Sequence, residues 1–321
     1  MRVLVLSNPK ASGSDGVEAL RADAPAGVEF REGDAEGSIA DLAEQGAREG
    51  FDVVAAAGGD GTVHEVANGL MRAPAPARPA MAVVPLGTGN DFARTLALPI
   101  RDLAACLARA TEAGAARQMD LMRVRGDGID TWAVNVCAGG FGGEVDEELT
   151  PELKATWGPL AYLIGAVRAL PDLREYVTHV RFDDGPEERV EAMNCVVANG
   201  RTAAGGFPAA PLANPEDGLL DVVILLRSNA LDVARLAARV VAKDRRVDER
   251  VIHRRVRRFE VRSQPGMWFN TDGELLSREP LAFEAVPGAL RVVVGADYQA
   301  EPDSAGDARM PFRKLRGANP S

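Results

Sequence analysis

Aromatic side chains are scarce in this chain of 321 residues, at 5%, so its cores must be built mainly from Ala, Val and Leu. Cysteine is scarcer still. Cys106, Cys137 and Cys195 stand far apart, odd in number and outside any CxxC. That excludes a disulfide framework and predicts three buried thiols in a reduced compartment. His64, His179 and His253 are too scattered to suggest a zinc site. Positive charge is also short: the formal net charge is −10 and the pI is near 5.0. A general nucleic-acid binder needs the opposite sign to displace counterions, so no nucleic-acid partner is expected. No run approaches the roughly 20 apolar residues of a membrane span. DGLLDVVILL, residues 217–226, is too short and reads as a buried strand. The opening MRVLVLSNPKASG has too brief an apolar run for a secretion signal. Cytoplasmic residence is therefore expected, with peripheral contact at the inner face of a membrane left open.

What is present is an alternation. RVLVLSN (2–8), VEFREG (28–33), FDVVAAA (51–57) and MAVVPLG (81–87) read as strands. The first of these is continuous and β-branched, the look of a buried parallel strand. Between them lie helical stretches at 14–22, 38–50 and 62–71, and others follow 91 and 101. Ser38 is placed to cap the second helix, whose Ile39, Leu42 and Ala43 share a face. Alternating strands and helices predict an open α/β sheet that binds ligands beyond the C-terminal ends of its strands. Near residue 120 the texture changes to mostly strands, interrupted by helical stretches around 157–171 and 229–243. The length allows two domains. The expected division is an α/β domain over 1–123 and a mostly antiparallel domain over 124–291. Residues 292–310 either end the second domain or return to the first.

VVAAAGGDGT, residues 53–62, stops a buried strand on a knot of glycines around one acid. Gly58 and Gly59 let the backbone turn and approach a ligand closely. Thr62 then opens a helix, whose free N–H groups favour an anion. Asp60 sits where a second anion is unwelcome unless a cation arrives too. Phosphate, Mg²⁺ and Asp60 together satisfy that arithmetic; a tight turn with Asp60 as a helix cap is the plainer reading. PLGTGNDFART (85–95) repeats the pattern: Gly87 and Gly89 turn the chain, Thr88 and Asn90 supply neutral hydrogen-bonding groups, and Asp91 is a candidate N-cap. SNPKASG (7–13), with Asn8 and Lys10, makes a third polar loop at a strand end. Three such loops on one sheet edge resemble a nucleotide cleft. Neither GxGxxG nor GxxxxGK[ST] is present, so a dinucleotide fingerprint and a P-loop are unsupported.

GGDGTVHEVANGL with PLGTGNDFAR resembles the diacylglycerol kinase catalytic domain family, which includes bacterial lipid kinases, sphingosine kinases and ceramide kinases. The likeness continues through NPKASG, NVCAGGFGGEV (135–145), VVANGRTAAGGFPAAPLANPEDGLLDVVIL (196–225) and NTDGELL (270–276), and so spans nearly the whole chain. It implies an N-terminal Rossmann-like three-layer domain with the nucleotide fold of phosphofructokinases and NAD kinases. It also implies a C-terminal antiparallel β-sandwich, with the active site in the cleft between them. The implied activity is transfer of the γ-phosphoryl group of Mg·ATP to the hydroxyl of a lipid such as diacylglycerol.

By the same resemblance, Gly58, Gly59, Asp60, Gly61, Thr62, Val63 and His64 form the nucleotide loop, joined by Asn8, Gly87, Thr88 and Asn90. Asp60 helps to hold the catalytic Mg²⁺. Asp272 and Glu274 approach the acceptor hydroxyl, one of them as general base. A structural metal maps to Asp217 with backbone oxygens of Asn214 and Leu219; read alone, PEDGLLD is a turn before a strand. AYLIGAVRAL (161–170) is core or lines a lipid slot. From Arg235 to Arg258 ten bases face three acids, a net +7 that suits either an anionic lipid surface or a solvated face. Two rivals stand beside this reading: an NAD kinase-like phosphotransferase and an inactive nucleotide- or lipid-binding module. The natural acceptor stays open, as does a homodimer.

Overall fold

The structure is a computed structural model that describes residues 1–9, 14–33, 37–140, 176–242, 248–272, 274–278, 280–301 and 312–313. The stretch 161–170, the 157–171 helical expectation and Lys10 lie outside these residues.

Strands β1 (Val3–Ser7), β3 (Val53–Gly58) and β4 (Ala80–Pro85) are buried at every position. Only a parallel sheet covered on both faces asks for such uninterrupted apolar runs. β1 pairs in parallel with β2 (Val28–Glu32) and with β3, and β3 pairs in parallel with β4. Helix α1 (Ser14–Ala22) packs with α5 (Leu103–Ala110), and α2 (Ile39–Arg48) packs with α3 (Asp60–Arg72). Ser38 caps α2 as expected, its side chain accepting from the Asp41 N–H. The α2–α3 contact is close because Gly69 has no side chain: a Cβ there would stand 2.1 Å from the Ala40 carbonyl oxygen.

The rest is mostly antiparallel. β7 (Val136–Gly140), β9 (Glu187–Ala198), β8 (Tyr176–Phe182), β12 (Arg258–Gln264) and β15 (Leu281–Val293) succeed one another across the sheet. β10 (Leu220–Leu226) and β11 (Asp248–Val256) continue from β9 on a branch. Its core is aromatic where the chain has aromatics to spend, with Phe259 against Phe182 and Phe283, and Phe283 against Phe269. All three cysteines are buried and free.

One long strand belongs to both halves. The first part of β15 pairs with β5 (Ala116–Gly126) inside the second core, and its Val292 lies parallel to Met81 of β4. Leu290 and Val292–Val294 pack in the first core with Met119 and Leu121, whereas Met122, Val124, Phe283 and Ala285 pack in the second. Between the two parts the register shifts at Pro287 and Gly288 (φ +56°), where the Gly288 N–H donates to Asp120 at 2.8 Å.

The α2–α3 crossing gives a stability prediction. Gly69→Ala forces a methyl into backbone and should cost about 1–3 kcal/mol, the range for overpacking. Urea denaturation measures it; an unchanged midpoint would mean that the helices part freely.

Candidate active site: two glycine turns and three carboxylates

β3 ends on Gly58, Gly59 serves as N-cap, and α3 starts at Asp60. The helix thus begins two residues earlier than its composition suggests. A Cβ on Gly58 would lie 2.2 Å from Thr62 Oγ1. One on Gly87 would lie 2.5 Å from the Gly59 Cα. The two turns therefore touch backbone to backbone, and the Leu86 N–H donates to the Gly58 carbonyl at 3.0 Å. Asn90, left-handed at φ 51°, closes the second turn: Oδ1 accepts the Gly87 N–H at 2.9 Å and Nδ2 donates to the Gly87 carbonyl at 2.6 Å. Expected as a nucleotide ligand, Asn90 is instead buried and its amide is spent on the turn. Thr88, at the tip, is exposed.

Asp60 does not cap its own helix. Its Oδ1 accepts the N–H groups of Asp91 at 2.9 Å and Phe92 at 3.3 Å, so it caps α4 (Asp91–Thr95) on the other turn. The other oxygen, Oδ2, makes no hydrogen bond among the described residues; a Cβ on Gly89 would stand 2.8 Å from it. Burial, then the nearby Asp91 carboxylate, push the Asp60 carboxyl up to about 6. Asp91 in turn accepts the N–H groups of Gly205 at 2.8 Å and Gly206 at 2.7 Å, rather than capping its helix. A loop of the second domain is thereby fixed over the second glycine turn, and Thr202 Oγ1 adds a bond to the Asp91 carbonyl at 3.1 Å.

Asp272 follows β13 (Trp268–Thr271) in a left-handed conformation, φ 48°. Its carboxylate is buried and crowded with donors. Oδ1 accepts the N–H groups of Asn135 at 3.0 Å and Val136 at 3.2 Å. Oδ2 accepts the Val134 N–H at 3.0 Å and lies 3.1 Å from His64 Nδ1. With both carboxylate oxygens engaged by backbone N–H groups, Asp272 organises the turn around it. Glu274 opens β14 (Glu274–Arg278), opposite Thr271 in the hairpin.

His64 Nδ1 faces the Asp272 carboxylate across the domain boundary. One helical turn on, Asn68 Oδ1 accepts the Trp132 N–H at 3.0 Å and the Thr131 hydroxyl at 3.0 Å, and Nδ2 donates to the Trp132 carbonyl at 2.8 Å. These bonds stitch α3 to β6 (Ile129–Ala133). Asn68 escaped the sequence reading because an Asn on a helix carries no signal until its partner strand is known. Val63 offers a ligand nothing: its side chain lies in the first core and its N–H is bound to the Gly59 carbonyl at 3.1 Å. Gly61 and Thr62 remain in the helix's first turn, where N–H groups lack intrahelical partners. Asn8 stands half-buried just after β1.

Side chains among the residues implied as metal ligands are bonded within their own loop. Asn214 Oδ1 accepts the Glu216 N–H at 3.0 Å, and Asp217 Oδ1 accepts the Leu219 N–H at 2.9 Å. Much of the basic stretch is paired: Arg239 with Asp248 at 2.9 Å, Arg250 with Asp232 at 3.2 Å, Arg254 with Glu188 at 2.7 Å, and Arg255 with Asp217. Lys243, Arg245 and Arg246 lie outside the described residues. No helix among the described residues is long and apolar enough to cross a membrane.

Comparison with known proteins agrees with this architecture. Residues 2–124 match the diacylglycerol kinase catalytic domain, and residues 135–294 match the YegS C-terminal NAD kinase beta sandwich-like domain. The chain is 33% identical over 258 residues to the diacylglycerol kinase of Bacillus subtilis (strain 168), covering 80% of this chain and 82% of that one. It is 34% identical over 300 residues to a Pseudomonas aeruginosa (strain UCBPP-PA14) protein named "Probable lipid kinase YegS-like", covering 91% and 93%. Among solved structures, a diacylglycerol kinase of Bacillus anthracis str. Sterne superposes with a TM-score of 0.70 at 22% identity, covering 93% of this chain and 98% of that one. That last likeness speaks to the fold alone.

Two stability measurements follow from the carboxylates. Asp272→Ala leaves three buried N–H groups without an acceptor, each worth about 1–3 kcal/mol. Denaturation should show a loss of at least about 3 kcal/mol; a loss under about 0.5 kcal/mol would remove Asp272 as organiser. Asp60 has the opposite sign. Its raised pKa means that the folded chain holds a proton, between the ordinary value of 3.8 and about 6, that the unfolded chain has released. Stability therefore falls as pH climbs through that window and stays reduced above it. Asp60→Asn should raise stability at pH 7, in the metal-free and nucleotide-free protein, by on the order of 2 kcal/mol. The gain should vanish at pH 4.

Proposed function

The chain belongs to the diacylglycerol kinase and YegS-like family of lipid kinases, and on that premise we propose that it transfers the γ-phosphoryl group of Mg·ATP to the hydroxyl of a lipid such as diacylglycerol. The observation that carries this reading is the joint cradle of the two glycine turns. Strand ends, bare backbone, a helix N-terminus and an exposed Thr88 meet at one edge, with Asp60 Oδ2 unengaged beside them. N–H groups of the first turn of α3 suit phosphate oxygens. An unengaged carboxylate oxygen suits the cation that accompanies them, so the residues present fit Mg·ATP. Mg²⁺ supplies charge neutralisation and a template for the phosphates.

The chain's own residues supply position and polarity. The backbone of Gly59–Thr62 and the Thr88 hydroxyl orient the triphosphate. Asp60 faces the cation. Asp272, through its bonds to 134–136 and to His64, holds the second domain against α3 and fixes the hairpin on which Glu274 stands. Glu274 is left as the group that accepts the proton of the lipid hydroxyl, since the Asp272 carboxylate is already occupied by N–H donors. Positioning and electrostatic compensation do most of the work in such a transfer.

A test pairs labelled ATP with three acceptors: diacylglycerol in detergent micelles, a total lipid extract and NAD⁺. Label is expected in a lipid and absent from NAD⁺. Transfer to NAD⁺ alone would establish the NAD kinase reading instead, and ATP binding without transfer to any of the three would leave a binding module. Asp60→Asn and Glu274→Gln should each lower kcat/KM by roughly 10²-fold or more, the scale of a positioned charged group. Retention within about threefold of wild type at Asp60 would overturn the site assignment.

A further inference from the structure

The family resemblance implies a structural metal on the loop before β10, and the side chains on that loop do not fit one. Asp217 is its one implied carboxylate. Asp217 Oδ1 accepts the Leu219 N–H at 2.9 Å. Asp217 Oδ2 makes no hydrogen bond but lies in contact with the Arg255 guanidinium. Arg255 stands on β11 directly opposite Asp221 of β10 and leans its Nε to 3.9 Å from Asp221 Oδ2. Of the other acids nearby, Asp120 accepts the N–H groups of Gly218 at 2.5 Å and Gly288 at 2.8 Å, and Glu216 pairs through Oε2 with Arg117 at 2.7 Å, its Oε1 buried without a hydrogen bond among the described residues. Among the described residues, no group of three or more His, Cys, Asp and Glu side chains is placed to hold a metal ion.

We propose that Arg255 is the resident cation of this loop, and that its guanidinium replaces the structural metal. A guanidinium stays charged at every working pH and offers five N–H donors in a fixed fork, so one group can serve both Asp217 and Asp221. A divalent ion bound to Asp217 must approach to about 2.0–2.6 Å. That position lies beside the guanidinium, whose like charge opposes it. Order in the loop then comes from the chain itself: Arg255 holds Asp217, and the neighbouring Gly218 N–H holds Asp120 at the shoulder of β15. The loop does not depend on the supply of Mg²⁺ or Ca²⁺.

Thermal unfolding of the full chain without nucleotide tests this, in EDTA and in millimolar Mg²⁺ or Ca²⁺. Wild type should respond to the three conditions no differently from Asp217→Asn, so that any cation taken up at Asp60 cancels. Arg255→Met should melt several degrees lower in EDTA and recover part of the loss when either cation is added, because Asp217 then lacks its counter-ion while Asp221 keeps its 2.5 Å contact with His253 Nε2. The double variant Arg255→Met/Asp217→Asn should not recover. A wild-type melting temperature that drops in EDTA, with no such drop in Asp217→Asn, would overturn the proposal, and so would Arg255→Met melting like wild type in EDTA. If Arg255→Met does not fold, the wild-type and Asp217→Asn comparison decides alone. Phosphoryl transfer is not read, so the result is independent of the proposed function.

Discussion

The contact between the Gly59 and Gly87 backbones sets the geometry on which the site depends. Parallel strands β3 and β4 run side by side at sheet spacing, and each must leave the sheet at its end. Side chains at those two positions would push the departing turns apart, since a Cβ on Gly87 would meet the Gly59 Cα at 2.5 Å. Glycine at both lets α3 and α4 start next to each other. Only then can Asp60, at the head of α3, cap α4. The acid in the middle of the glycine knot is thus tied into the neighbouring turn by one oxygen, and the other oxygen is left for chemistry.

That arrangement is unfavourable in isolation. Asp60, Asp91 and Asp272 gather three carboxylates in a largely buried region, and two of them raise the pKa of the third. Backbone N–H groups carry most of the compensation: two to Asp60, two to Asp91 and three to Asp272. Those donors come from both domains, so the same bonds that make the acids tolerable also join the domains across the cleft. Asp91 recruits the 205–206 backbone, and Asp272 recruits the 134–136 backbone and His64. The electrostatic cost of the site is thereby coupled to domain placement. Function held at some expense of stability is a common outcome in natural proteins.

Much of this was legible in the chain, for physical reasons. Buried parallel strands announce themselves as unbroken apolar runs, and VLVLS, VVAAAG and AMAVVP are buried throughout. Glycine pairs at strand ends mark turns with no room for side chains. What stayed hidden depends on register and on partners far along the chain. Asp60 read as a cap or a metal ligand, because nothing local says that its oxygen reaches a helix thirty residues on. His64 sits on the glycine-turn helix, yet faces a carboxylate 208 residues away. Asp120 was missed although it interrupts the apolar run of β5, a buried acid whose two N–H partners come from distant glycines. The path of β15 through both cores was left open, because RVVVG is equally apolar in either. Arg255 read as one of ten surface bases; only the β10–β11 register sets it against Asp217 and Asp221.

Two acidic loops in one chain solve the same electrostatic problem in different ways. At 217 and 221, a covalently attached guanidinium supplies the positive charge, which makes the arrangement permanent. At 60, 91 and 272, the described residues bring backbone N–H groups and a histidine but no Lys or Arg ion pair. A resident arginine there would satisfy the acids and fill the space that a substrate must enter. Under the proposed function, leaving the charge to a cation that comes and goes with a polyphosphate would keep the cradle empty between turnovers and place its attraction on the reactant. The difference between a cation that cannot leave and one that must is what separates a brace from an active site in this fold.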